Sequence, residues 1–229
     1  MERVVRHFQE ELDALKERLL AMGRLAEERV REAVGGLTAR DSALIDAVLA
    51  GDEPINALHI EVDDRCFKLL ALYQPMAADL RVILAAVKIN TDLERVGDLA
   101  VNIAQAGKRY LQHPPVKPLI DIPRMGELAQ AMLRDALDAF VRRDIALAEA
   151  VLAADDQLDA LKTQIFRELL TYMLDDRGTV APALDLILIS RHLERIGDHA
   201  TNVTKDIIFI LSARDVRHQG AEPPALDGR

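Results

Sequence analysis

The feature that most constrains this chain is that it repeats itself. ARDSALIDAVLAGDEPINAL, from Ala39, matches RRDIALAEAVLAADDQLDAL, from Arg142; LERVGDLAVNIA, from Leu93, matches LERIGDHATNVT, from Leu193. The first pair is offset by 103 residues and the second by 100. Insertions and deletions settle in loops, so the three-residue drift marks a connection between helices. A chance match among Leu- and Ala-rich helices would not keep Glu, Arg, Gly, Asp and Asn at identical spacing. Each half must therefore fold into the same unit, and the two units must be related by an approximate twofold axis.

Periodicity says what that unit is. Apolar residues recur in steps of three and four at Val5, Phe8, Leu12, Leu15, Leu19, Met22, Ala26, Val30, Ala33 and Leu37, the pattern of an amphipathic helix with one buried stripe. Gly35-Gly36 is expected to loosen its end. Asp41 reads as the N-cap of a short helix, Ser42 to Ala50, which Gly51 stops; Asp52 caps the next, with Pro54 tolerated in its first turn, and this one runs to about Tyr73. Gln74-Pro75 is a turn, and the proline-free stretch from Ala77 to Tyr110 makes a helix about 50 Å long at about 1.5 Å per residue. HPPVKPLIDIP, residues 113–123, holds four of the nine prolines and separates the halves, with helix resuming from Met125. Half the residues are hydrophobic but only 3% are aromatic, so the core is made of Leu, Ala, Val and Ile, which suits close-packed helices. The expectation is an all-α protein of two tandem, pseudo-symmetric antiparallel three-helix bundles, each a long helix, a broken helix and a second long helix. They cover residues 1–112 and 124–213, joined by the linker 113–123 and followed by a disordered tail, 214–229.

Composition excludes several function classes. A net charge of −9 disfavours nucleic-acid binding through phosphate neutralisation and suits cations or basic patches on partner proteins. The single cysteine, Cys66, permits no intrachain disulfide and sits in a helical pattern as a small core residue. The charged N-terminus lacks the apolar region of a signal peptide, and no run of 18 apolar residues could span a membrane, so a cytoplasmic location is expected. There is no G-x-x-x-x-G-K-[ST] loop to cradle nucleotide phosphates.

The residues with chemistry lie in the repeated segment. Glu94, Asp98 and Asn102 are spaced i, i+4, i+8, and Glu194, Asp198 and Asn202 repeat the set. Such residues advance by about 40° per step and form one line on a helix, roughly opposite the apolar stripe of Ile89, Leu93, Val96, Ala100 and Ile103. A solvated face is the plain explanation of an acidic line. Against it, Ile83, Val87 and Val101 share that side, and Gly97 and Gly197 sit beside the line although glycine costs about 1 kcal/mol in a helix, which points to close approach by a neighbouring helix or ligand. Carboxylate and amide oxygens are hard donors that suit Mg²⁺, Mn²⁺, Ca²⁺ or iron better than a Cys/His zinc site. One line supplies too few ligands for a closed site. Asp52, Asn56, Asp155 and Asp159, in i, i+4 pairs on the preceding helix, are weaker candidates, Asp52 and Asp155 being possible N-caps instead. Arg95 and Arg195 are expected to pair with nearby acids, and His192 and His199, which face away from the line, are treated as non-ligands.

On these residues, DLRVILAAVKINTDLERVGDLAVNIA from Asp79 and LDLILISRHLERIGDHATNV from Leu184, together with YQPMAADLR, the chain resembles the PhoU family of phosphate transport system regulatory proteins. The resemblance runs over residues 1 to 213. It implies two three-helix bundles and metal sites at E/D-x-x-x-D motifs, here Glu94-Asp98 and Glu194-Asp198, holding iron or zinc clusters in some members and magnesium or manganese in others. It further implies a homodimer and negative regulation of the phosphate-starvation response, linking the phosphate ABC transporter, through its ATPase subunit PstB, to the sensor histidine kinase PhoR. Two other readings stand beside it: a carboxylate-bridged di-metal enzyme, which would need Glu-x-x-His pairs that neither line has, and a plain helical scaffold. The second half departs from the family pattern at LDDRGTVAPALD, where the first has LYQPMAADLR.

Overall fold

The computed structural model describes residues 2–51 and 53–212. The described elements are helices: α1 (Glu2–Ala39), α2 (Ser42–Ala50), α3 (Glu53–Tyr73), α4 (Ala77–Tyr110), α5 (Asp121–Arg142), α6 (Ile145–Asp175) and α7 (Val180–Ser212), with a 3₁₀ turn at Arg177–Thr179. The expected tail, 214–229, and Asp52 lie outside the described residues.

The α1 stripe from Leu12 to Leu37 is buried throughout. Gly35-Gly36 does not loosen the helix, which continues to Ala39. Gly36 instead makes room for α2: a Cβ there would stand 3.0 Å from Ile45 Cγ1, and Ile45 is fully buried. The turn into the second helix is the same in both halves. Arg40 and Arg143 adopt left-handed conformations, with φ of 53° and 55°. The next N–H reaches back five residues, Asp41 to the Gly36 carbonyl (2.8 Å) and Asp144 to that of Ala139 (3.1 Å), closing a Schellman-type end. Both aspartates then cap the following helix, Asp41 accepting from the Ala43 and Leu44 N–H groups and Asp144 from that of Leu147.

Beyond this point the halves diverge. The second helix is broken in the first half only, and α6 runs uninterrupted for 31 residues. The expected break in the second half is absent because the repeat places Gln157 where the first half has Pro54, and Ala154 where it has Gly51. Pro54 has no N–H to continue a helix, and its ring would collide with the carbonyl four residues back. Asp155 is consequently mid-helix and caps nothing. At the first-half break Arg29 supplies donors for the freed carbonyls, bonding those of Val48 (3.2 Å) and Gly51. α5 begins at Asp121, earlier than Met125, with Pro123 in the first turn where its missing N–H is harmless.

The two bundles, α1 with α2–α3 and α4, and α5 with α6 and α7, are joined along their lengths. α4 packs against α7 and α1 against α5, so these four helices enclose one continuous apolar core, while α3 and α6 flank it. α4 and α7 run antiparallel, as three bridges show: Lys88 to Asp206 (2.9 Å), Asp92 to His199 (2.8 Å) and Arg109 to Asp185 (2.8 Å). Cys66 is buried and free, and burial pushes its thiol up to about 12. No helix among the described residues is long and apolar enough to cross a membrane.

Candidate functional site: two acidic clefts

Glu94 and Asp98 lie on α4, which packs against α3, and Glu194 and Asp198 lie on α7, which packs against α6. In the second half, α6 brings Asp155 and Asp159 to Glu194 and Asp198 of α7. Gly197 lets the helices approach: a Cβ on it would run into the Leu158 side chain and stand 3.5 Å from Asp155 Oδ1. The mid-helix glycine thus serves contact with a neighbouring helix. Lys162, one turn beyond Asp159, crosses the cleft and donates to Glu194 Oε1 (2.7 Å) and Asp159 Oδ1 (2.8 Å). These two bonds hold the lysine above its ordinary pKa. The other two carboxylates are left crowded. Asp155 is raised by burial and then by the charges of Asp198 and Asp159, against Lys205. Asp198 is raised by burial and then by Glu194 and Asp159, against His199 and Lys162. Asn202 is not part of this cluster; with Lys205 it lines a groove over the α4–α7 seam, opposite Lys88 and Thr91.

The first-half cleft is neutralised differently. Arg95 lies over the line from its own helix, 3.4 Å from Glu94 Oε2 and 3.1 Å from Asp98 Oδ2. Its counterpart Arg195 makes no ion pair among the described residues, Lys162 having taken Glu194. Asn56 is exposed on α3 and Asn102 half-buried on α4. One turn before Glu94 lies a group that sequence reasoning missed. Asn90, fully buried, donates from Nδ2 to the His59 carbonyl and to Asp63 Oδ1, both at 2.9 Å, and His59 Nε2 is 3.7 Å from Asp63 Oδ2. The available signal was spacing, since Asn90 extends the line by one more step of four. Lys162 was missed as well, although it falls seven residues after Asp155 on the same face of α6.

As drawn together here, no group of three or more His, Cys, Asp or Glu side chains among the described residues converges closely enough to hold a metal ion. The donor chemistry nevertheless fits a cation: four carboxylates face one another across the second cleft, and two are held above their ordinary range partly by mutual repulsion.

The comparisons agree with one another. The PhoU domain matches residues 19–107 and again 122–207. The "Phosphate-specific transport system accessory protein PhoU homolog" of Caulobacter vibrioides is 41% identical over 99% of this chain and 97% of its own length. That of Aquifex aeolicus is 39% identical over 91% of this chain and 95% of its own. The crystal structure of PhoU from Pseudomonas aeruginosa superposes with a TM-score of 0.86 at 36% identity, covering 90% of this chain and all of that one. The phosphate transport system regulatory protein PhoU of Streptococcus pneumoniae gives 0.83 at 27% identity, covering 91% of this chain and 99% of that one. These names are accessory and regulatory, and none is that of an enzyme. With the domain matched twice, on the two halves that its own sequence repeats, this chain belongs to the PhoU family.

Proposed function

We propose that this protein is a negative regulator of the phosphate-starvation response and of phosphate uptake, working in the cytoplasm as an adaptor between the ATPase subunit of the phosphate ABC transporter (PstB-like) and a sensor histidine kinase (PhoR-like). The observation that carries this reading is the pair of carboxylate-lined clefts on a duplicated, single-core helical frame, in a chain similar over nearly its whole length to accessory proteins of phosphate transport. A single core makes the frame a stiff platform whose faces hold fixed relative positions.

Divalent metal, as iron, zinc, manganese or magnesium, is part of the proposal. Asp155, Asp159, Glu194 and Asp198 would hold it in the second cleft, and Glu94 and Asp98, with Asn56 and Asp52, in the first. Bound metal would relieve the carboxylate repulsion and draw α3 towards α4, or α6 towards α7. A partner that prefers the drawn-in form is then favoured by metal and reciprocally favours it. A phosphatase reporter in phosphate-rich medium tests the regulatory reading. Deletion of the gene should switch the reporter on, the wild-type copy should restore repression, and a reporter that stays off on deletion refutes it. Elemental analysis of the native protein beside the Asp98→Ala/Asp198→Ala double variant tests the metal. Equal metal content, or none in either under metal-replete conditions, refutes these ligands.

A further inference from the structure

The chain is acidic overall, at −9, yet one exposed ridge of α7 carries cations that no acid offsets among the described residues. Leu184, Leu188, Arg191 and Arg195 follow one another at steps of four, three and four, so they form one line along the helix. All four are exposed, the leucines at 48% and 39%. Arg191 and Arg195 make no hydrogen bond or ion pair among the described residues. Glu194 is taken by Lys162, and the cations that lower Asp198 are His199 and Lys162. The positive charge of the ridge is felt by His192, which burial and then Arg195, Arg191 and Arg109 of α4 hold below its ordinary pKa.

The twofold-related ridge of α4 is an internal control. Leu84 stands there at the position of Leu184, but Lys88 replaces Leu188, Thr91 replaces Arg191 and Arg95 replaces Arg195. Lys88 is bonded to Asp206, and Arg95 to Glu94 and Asp98. One half thus neutralises this surface from within, and the other leaves two free guanidinium groups beside two exposed leucines. Resting on the adaptor reading above, we propose that the ridge of Leu184, Leu188, Arg191 and Arg195 docks an acidic amphipathic helix of a partner protein, its apolar residues over the leucines and its carboxylates on the arginines. Arginine forks match carboxylates with two parallel bonds, and apolar contact beside them excludes the water that would weaken the pairs. The net charge of the chain repels such a helix elsewhere, so the ridge fixes where it lies and in which direction.

Fluorescence anisotropy tests this, with full-length protein titrated into a labelled synthetic helix bearing two leucines one turn apart and then two glutamates one turn apart. At low salt this helix should bind at least about tenfold more tightly than the same helix with glutamine for glutamate, a difference of about 1.4 kcal/mol, and the preference should shrink as salt rises. Arg191→Glu/Arg195→Glu, with its fold checked by circular dichroism, should lose the preference. Leu184→Ser/Leu188→Ser should weaken binding of both helices, and Lys88→Gln on α4 should change neither. Equal binding of the two helices by the wild type, or an arginine double variant that binds as the wild type does, overturns the inference. So does a ridge that takes phosphatidylglycerol vesicles and not the helix, which would make it a membrane contact. In the deletion strain the arginine double variant should fail to restore repression of the phosphatase reporter. Full repression by it overturns this inference alone, whereas a reporter that stays off on deletion overturns the adaptor reading with it.

Discussion

The two clefts share a helical frame and an acidic line but differ in how they offset its charge. In the first, a polar latch of Asn90, His59 and Asp63 joins α3 to α4 beneath the line, and an exposed arginine covers it. In the second, the latch is gone: Phe166 replaces Asp63, and Ser190 replaces Asn90, its hydroxyl turned back onto the Ile187 carbonyl of its own helix (2.9 Å). A lysine from the facing helix joins α6 to α7 instead. Glu94 and Asp98 recur as Glu194 and Asp198 while the helix opposite exchanges His59 for Lys162 and Asp63 for Phe166, so the charge of the line is offset differently from α3 and from α6.

The largest way to break this comparison is to impose the first half's interruption on the second. Gln157→Pro should cost about 3 kcal/mol, because it removes a helix bond and meets the carbonyl of Ala153; Pro54→Gln should stay within about 0.5 kcal/mol. Chemical denaturation of the two variants measures both. Next come the latch residues. Asn90→Ala removes two hydrogen bonds between α3 and α4, at about 2 kcal/mol, while the equivalent Ser190→Ala should change stability by less than about 0.5 kcal/mol. Equal effects would mean that the latch is not what holds α3.

Lys162→Gln should cost the metal-free protein about 1 kcal/mol at pH 7. The folded-state pKa of Lys162 is raised, so its contribution is fully present below the ordinary lysine range and is lost as pH rises through the folded value. Melting curves of wild type and variant should accordingly converge in strong alkali. The smallest effect is Asp198→Asn. Its carboxyl is raised by burial and by Glu194, so ionisation opposes folding. The metal-free variant should melt about 1–2 °C higher at neutral pH, a gain limited by solvent screening. That gain should fade as pH falls through the raised folded value and vanish below the ordinary carboxylate value, where the wild-type side chain is protonated in folded and unfolded forms alike. Asp98→Asn, which loses a bridge to Arg95 instead, should show no such gain.

Much of this was legible in the sequence. The helix boundaries followed from local signals, namely Asp41 as a cap, Gln74-Pro75 as a turn and a proline-free Ala77–Tyr110, each of which acts on its neighbours in the chain. The break in the second half was expected from analogy, and Gln157 and Ala154 overrule it, because helix interruption depends on which residue occupies the position and not on descent from a broken helix. The acidic line was legible from spacing of four. Its neutralisation was not, since Lys162 and Arg95 are two lysine- or arginine-bearing positions among 29, and only the packing of α6 on α7 selects the one that crosses. Asn90 escaped notice for a similar reason: its partners on α3 are 27 and 31 residues away in sequence.

The placement of Cys66 has a practical side. The chain's one thiol is buried and its pKa of about 12 leaves almost no thiolate at neutral pH, so maleimide and iodoacetamide reagents should pass it by in the native protein. A cysteine introduced on the exposed side of α3 or α6 would then be the sole labelling point, with no need to remove the native one from the core. Paired spin or fluorescent labels could follow the opening of each cleft separately, in an otherwise unaltered molecule.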